Sequence, residues 1–224
     1  MSIHPAHGKV DLEFLIDLVH SENLDAFEDI NPSRELVTSQ DNLLFRTACA
    51  KGNISILRWL ANRYNLTPED ATSADNDALL TACAEGNLRV AQWLTDRFLL
   101  TSADARSDHN YALRAACNNG ELHIIKWLKL RFRLNRTDAQ SNDNEAFHLA
   151  AANGHLDVLK YLVSGYKLND DDARSNDNYA LRAACANGHK NIIRWLTRIF
   201  ELDLSNSDVV SYCCALNNCP LLTD

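Results

Sequence analysis

The chain of 224 residues is poor in the features that announce membrane or catalytic chemistry. No apolar run approaches the ~20 residues that a membrane span requires. The opening residues, MSIHPAHGKVD, lack a basic flank followed by an apolar core, so no signal peptide is expected. There are seven glycines, and most fall at one recurring position, so no glycine-rich phosphate-cradling loop is present in the sequence. Cys213, Cys214 and Cys219 lack the paired C-x-x-C spacing of a structural zinc site, even with His189 nearby. His148 stands next to apolar residues, as a partly buried, hydrogen-bonded histidine would. An enzyme needs convergent polar groups in a pocket. No such set is visible, so no catalytic activity, metal or cofactor is expected.

Positive charge is also scarce. The net charge of −8 argues against a general nucleic-acid or membrane-surface binder. Its distribution is uneven, however. Residues 1–34 carry Lys9 and Arg34 against seven acids, whereas residues 103–136 carry seven basic residues against three acids.

What the chain has in abundance is repetition. NYALRAACNNGELHIIKWL, residues 110–128, recurs 68 residues later as NYALRAACANGHKNIIRWL, and looser copies stand at half that offset. Gly52, Gly86, Gly120, Gly154 and Gly188 mark a period of 34 with no insertion. Trp59, Trp93, Trp127, Tyr161 and Trp195 keep the same register, each followed by a leucine. A fixed period of this length is the signature of a solenoid, whose units bury their apolar faces only against their neighbours.

Each repeat divides into three parts. Asn42, Asn76, Asn110, Asn144 and Asn178 precede an Ala- and Leu-rich stretch that favours helix; an Asn there is expected to accept a capping hydrogen bond. The glycine ends this first helix through a left-handed conformation. A second helix follows, for example residues 191–200. Then Leu66-Thr67-Pro68-Glu69-Asp70 and its copies resemble a capping box with Asp in place of Glu, which predicts a short third helix. Residues 12–21 show a helical stripe, Asn31-Pro32-Ser33-Arg34-Glu35 begins a further short helix, and the acids of 1–38 suit the polar face of a terminal unit. Residues 205–224 break the register and end the array. Cys49, Cys83, Cys117 and Cys185 share one position. Equivalent positions in stacked helices lie ~8–10 Å apart, beyond the ~7 Å limit for a bridge, so these cysteines are expected to be buried thiols in a reducing compartment.

The repeat resembles the ankyrin family, through the leucine and small residues of its first helix, Asn153-Gly154-His155 and Asn187-Gly188-His189 before the second, and the I-I-x-W-L core. It departs from the family where Thr-Pro-Leu-His reads Tyr179-Ala180-Leu181-Arg182 and only His148 keeps the histidine. It departs again where the LTxxDARS segment replaces the hairpin finger. A tetratricopeptide array also has period 34, but its Trp-Leu-Gly-Tyr pattern is absent. Similar variant arrays occur in large DNA viruses and protists. The resemblance implies an all-α, ankyrin-type α-solenoid: capping helices in 1–38, five repeats in 39–204, and a degenerate C-terminal repeat in 205–224.

It also implies a non-enzymatic protein-interaction module, a scaffold or adaptor, acting as a monomer in the cytoplasm, in the host cytoplasm if the chain is viral, or in the nucleus. No F-box-like helix is visible for a ubiquitin-ligase adaptor. In this family the turn tips and the exposed side of the first helix contact the partner protein. Carried onto this chain, these positions give Asp108, Tyr111, Arg114, Asn119, Glu145, His148, Tyr179, Arg182 and Asn187. Tyr and Arg are enriched in binding hot spots, although Arg in the histidine position could instead hydrogen-bond the neighbouring turn. The alternative is nucleic-acid binding through the basic run Lys126, Lys129, Arg131, Arg133 and Arg136.

Overall fold

A computed structural model describes residues 10–202. Among these residues the chain forms sixteen α-helices and no strand. They fall into two compact units that divide between Asp108 and His109.

The first unit runs through three sets of helices, each set ending in a helix of four residues. α1 (Leu12–His20), α2 (Leu24–Ile30) and α3 (Arg34–Val37) form the first set. α4 (Ser39–Lys51), α5 (Ile54–Arg63) and α6 (Pro68–Ala71) form the second. α7 (Ser73–Ala84), α8 (Leu88–Phe98) and α9 (Ser102–Ala105) form the third. α10 (Ser107–Asn119) opens the next repeat, and the second unit continues with α11 (Leu122–Phe132), α12 (Arg136–Ala139), α13 (Ser141–Ala152) and α14 (Leu156–Tyr166). α15 (Asp170–Ala186) joins a short helix to the next first helix, and α16 (Lys190–Phe200) follows.

The predicted short helices begin as their sequence requires. Thr67, Thr101, Asn135 and Asn169 each accept a backbone N–H, while Asp70, Asp104, Asp138 and Asp172 reach back to the cap residue's own N–H. Asp thus performs the reciprocal role usually given to Glu. First helices carry Ala48, Ala82, Ala116, Ala150 and Ala184 with no exposed surface. These small residues allow helices of adjacent repeats to approach closely.

The second helix contributes a second repeated device. Each Trp, or Tyr161, lies edge-on to an aromatic ring five residues later. Centroids are 5.6 Å apart for Trp59–Tyr64, 5.8 Å for Trp93–Phe98, 5.5 Å for Trp127–Phe132, 6.2 Å for Tyr161–Tyr166 and 5.7 Å for Trp195–Phe200. Such T-shaped pairs add about 1 kcal/mol each beyond the area they bury. Neighbouring repeats share them: Phe27 meets Trp59, Phe45 meets Phe98, and Phe147 meets Phe200. Asn65, Leu99, Arg133, Lys167 and Glu201 then adopt positive φ, which turns the chain so that Leu66, Leu100, Leu134, Leu168 and Leu202 point inward and are buried.

Cys49, Cys83 and Cys117 are free and buried, and burial pushes their thiols well up from the ordinary range. Cys185 departs from the expectation for this row, because it is disulfide-bonded. The spacing argument excluded bridges only between equivalent positions of adjacent repeats. The readings of residues 1–9, of Cys213, Cys214 and Cys219, and of the 205–224 end fall outside the described residues.

Candidate interaction surface

In each of the five 34-residue repeats the first helix opens on three consecutive residues in the left-handed region. Gln40–Asn42, Ala74–Asn76, Asp108–Asn110, Asn142–Asn144 and Asn176–Asn178 all have φ between 45° and 69°. Twelve of these fifteen residues are Asn or Asp, the types that tolerate this conformation best after glycine. The expected capping role of the asparagines is therefore corrected. A capping residue is extended, with its side chain folded over the first turn; here each Asn is itself the last left-handed residue. Its own N–H bonds back across the turn, as from Asn76 to Thr72 O (3.0 Å) and from Asn144 to Gln140 O (3.0 Å). The Oδ1 atoms of Asn42, Asn76, Asn110, Asn144 and Asn178 are buried and accept no hydrogen bond from the described residues.

Three successive left-handed residues cost about 1 kcal/mol each or more, so the surroundings must hold them. Arginine does so in three repeats, through Arg182 in one and through a fuller set of contacts in two others. Arg46 Nε donates to Asp41 O (2.9 Å) and its Nη2 to Gln40 O (3.1 Å). Arg114 Nε donates to His109 O (3.0 Å). The same two carbonyls meet the serine hydroxyl of the next repeat: Ser73 Oγ lies 3.0 Å from Asp41 O, and Ser141 Oγ lies 2.6 Å from His109 O. The guanidinium groups of these two others then pair with an acid one repeat on. Arg46 Nη1 reaches Asp77 at 2.5 Å, and Arg114 pairs with Glu145.

His148 stands where arginine stands in the neighbouring repeats. It is 5 % exposed, lies 2.9 Å from Ser175 Oγ through Nε2, and packs against Tyr179 with ring centroids 5.0 Å apart. Burial lowers its pKa to about 4; Glu145 and Asp143 oppose that shift, and Arg182 reinforces it.

The nine residues singled out from the sequence thus fall into distinct groups. Tyr111 and Tyr179 occupy the same position two repeats apart and are 40 % and 45 % exposed. Each ring lies under a guanidinium, of Arg114 at 5.4 Å and of Arg182 at 5.7 Å. Asp108 is exposed within its turn. Arg114 and His148 are buried, and Glu145 and Arg182 are half-buried. Arg182 Nη2 also donates to Asn176 O at 3.0 Å. Asn119 and Asn187 are exposed but lie at the other end of the first helices. Asn119 is eight residues beyond Tyr111, which is about 12 Å along a helix. Tyrosines and turn therefore make one surface, and the two asparagines mark another.

The residue after three of the five turn glycines has a role that the sequence reading missed. Asn87 Nδ2 donates to Ala50 O at 2.7 Å. His155 Nε2 meets Asn118 O, and His189 Nε2 meets Ala152 O, both at 2.9 Å. Each meets a carbonyl at the end of the preceding repeat's first helix, where intrahelical donors run out, and Ala152 O accepts from Asn187 Nδ2 as well, at 2.7 Å. The glycine stays small to admit this side chain: a Cβ on Gly120 would lie 2.5 Å from His155 Nδ1.

The basic run is largely absorbed by packing. Lys126 Nζ lies 5.6 Å from the Tyr161 ring centroid and Lys129 Nζ lies 5.0 Å from that of Tyr166. Arg136 pairs with Asp172 at 2.9 Å. Among the described residues there is no cluster of three His, Cys, Asp or Glu that could hold a metal ion, and no helix is long and apolar enough to cross a membrane.

No curated protein matches the chain. A family model described as ankyrin repeats in three copies matches residues 95–172 and 148–222. Those spans cover more than half of the sequence, and the helix pairs, turn glycines and inter-repeat hydrogen bonds described above lie within them and continue N-terminally of them. The chain belongs to the ankyrin repeat family.

Proposed function

We propose that the chain is a non-enzymatic protein-interaction module that contacts its partner through the left-handed turns and first helical turns of the second unit. Ankyrin repeats are generally protein–protein interaction modules, and the observation that supports this surface is the exposure of Tyr111 and Tyr179. Two large aromatic side chains in the same repeat position are 40 % and 45 % exposed, while the other large apolar side chains of the repeats' first helices are buried or, at Leu43 and Leu149, half-buried. Held beneath guanidinium groups, they offer broad contact area with little rotamer entropy left to lose.

The roles of the nine residues differ on this reading. Tyr111, Tyr179 and Asp108 contact the partner. Arg114, Glu145, His148 and Arg182 position the tyrosines and the turns. Asn119 and Asn187 form a second, outlying contact. The turn segments 107–113, 141–147 and 175–181 contain four acids and no Lys or Arg, a balance that favours a partner segment of positive charge.

The test compares the proteins captured by the wild-type chain and by a Tyr111→Ser/Tyr179→Ser variant, followed by direct binding of the purified candidate. Loss of the partner with unchanged helicity supports the surface. A partner retained with unchanged affinity sinks it. Charge reversal at Arg114 would be a poor substitute, because that side chain holds the fold together.

A further inference from the structure

Arginines of the first and short helices are consistently paired: Arg34, Arg46, Arg114, Arg136 and Arg174 each meet a carboxylate. The second helices differ from these in both units: in the first, Arg58, Arg63, Arg89 and Arg97 stand on α5 and α8 against the single acid Asp96, and Leu99 is 79 % exposed. The second unit carries more cations on them. α11, α14 and α16 carry seven Lys or Arg against a single acid, Asp157. Lys160, Lys190, Arg194 and Arg198 are exposed, and none of them forms an ion pair with the described residues. Lys126, Lys160 and Arg194 share one position of three successive repeats, so they form a row at the spacing of packed helices, about 10 Å. The same helices expose two large aliphatic side chains, Leu130 at 79 % and Ile199 at 49 %.

The asymmetry extends to the two units. Residues 10–108 hold eight Lys or Arg against 17 acids, whereas residues 109–202 hold 13 against ten. A solvated outer face explains cations alone. It does not explain the row itself: the equivalent positions of the first unit are Arg58 and Gln92, whereas Lys126, Lys160 and Arg194 are cations in three successive repeats of the unit whose charge is positive.

We infer that the outer face of α11, α14 and α16 docks an acidic, amphipathic helical segment of a partner protein. Carboxylates seven residues apart on a helix are separated by about 10.5 Å, which matches the row Lys126–Lys160–Arg194. The apolar residues between them meet Leu130 and Ile199. A nucleic-acid backbone fits the row less well, because it has no use for the aliphatics. An anionic bilayer is disfavoured because its extended surface meets a protein whose net charge is −8, whereas a peptide senses charge within a screening length of about 8 Å.

The experiment measures fluorescence anisotropy of a labelled synthetic helix with glutamates at heptad spacing and leucines between them, titrated with the full chain at low ionic strength. A peptide of equal charge with serine for leucine, duplex DNA and phosphatidylserine vesicles are the comparison probes. The Glu/Leu peptide is expected to bind best. Lys160→Glu/Arg194→Glu should weaken it about tenfold or more, with a milder effect for the Gln pair. Leu130→Ser/Ile199→Ser should weaken it several-fold without changing the salt dependence. All four positions are exposed, so the variants are expected to fold, and circular dichroism checks this. Failure of the peptide to bind, indifference to the charge reversals, equal binding of the serine peptide, or tighter binding of DNA or vesicles overturns the proposal.

Discussion

Arg46 and Asp77 are joined across a repeat boundary by a 2.5 Å ion pair, while the same guanidinium closes the left-handed turn of its own repeat through Asp41 O and Gln40 O. One side chain therefore stabilises a costly turn and holds the next repeat in place. The two functions can be separated by mutation. Asp77→Ala removes only the pair, and because Asp77 is partly exposed the loss should be near 1 kcal/mol. Arg46→Ala also removes a donor from each of two carbonyls, of which Asp41 O keeps the Ser73 hydroxyl and Gln40 O does not, and about 2 kcal/mol is expected. Urea titration of the two variants and the double variant checks the order. Equal losses would mean that the turn does not depend on arginine.

The turns make a second prediction about sign. Ala74 is exposed and has φ of 50°, a conformation that penalises any Cβ. Ala74→Gly should therefore stabilise the chain by about 1 kcal/mol, the reverse of the usual effect of glycine in a helix. Ala78 lies four residues on, buried in the right-handed part of α7. Ala78→Gly should cost about 1 kcal/mol or more. If both variants lower the unfolding midpoint, the left-handed turn at Ala74 is not the native conformation.

Gly120 and Gly188 have similar positive φ, 78° and 73°, but different neighbours. A Cβ at Gly120 meets the His155 ring at 2.5 Å, whereas one at Gly188 meets nothing. Both alanine variants carry the backbone penalty. Gly120→Ala carries a clash as well, and the difference should be about 1–3 kcal/mol. Adding His155→Ala to Gly120→Ala should recover part of that difference. An unchanged difference would rule out the side-chain contact as its cause.

Much of this architecture is legible in the sequence because it repeats. The glycine row, the Trp-Leu core and the Thr-x-x-Asp boxes each report a local need that recurs every 34 residues. The left-handed turn was also written there, as Ser-x-Asp-Asn or Ser-x-His-Asn in each repeat, but a lone Asn before an apolar run is equally the mark of a helix cap. Only three consecutive tolerant residues distinguish the two. The positions proposed for interaction could be named from the sequence, but which of them are buried could not. Arg114 and Tyr111 lie three residues apart and look equally suited to binding, yet one is buried by its neighbours and the other exposed. That difference comes from Glu145, 31 residues downstream of Arg114. The 68-residue recurrence is sharper than the 34-residue one partly for this reason: arginine at Arg46, Arg114 and Arg182 alternates with Leu80 and His148, and their partners alternate with them.

His148 makes that alternation sensitive to pH. Burial holds its folded-state pKa near 4, against an ordinary value of 6.5. Because the folded pKa is depressed, the native state takes up fewer protons than the unfolded chain between these two values. The neutral imidazole therefore adds no penalty above pH 6.5, and stability falls as pH drops from 6.5 towards 4, by an amount on the order of 3 kcal/mol. Carboxylates titrate over the lower part of this window, so the measurement is the difference between the wild-type chain and His148→Gln, followed by urea titration at several pH values. Glutamine can still reach Ser175 but does not ionise there. The wild-type chain should lose stability relative to the variant on acidification, with the divergence beginning near pH 6.5. Parallel profiles would show that His148 titrates alike in the folded and unfolded states, and a gain in stability on acidification would show that it is protonated in the folded state.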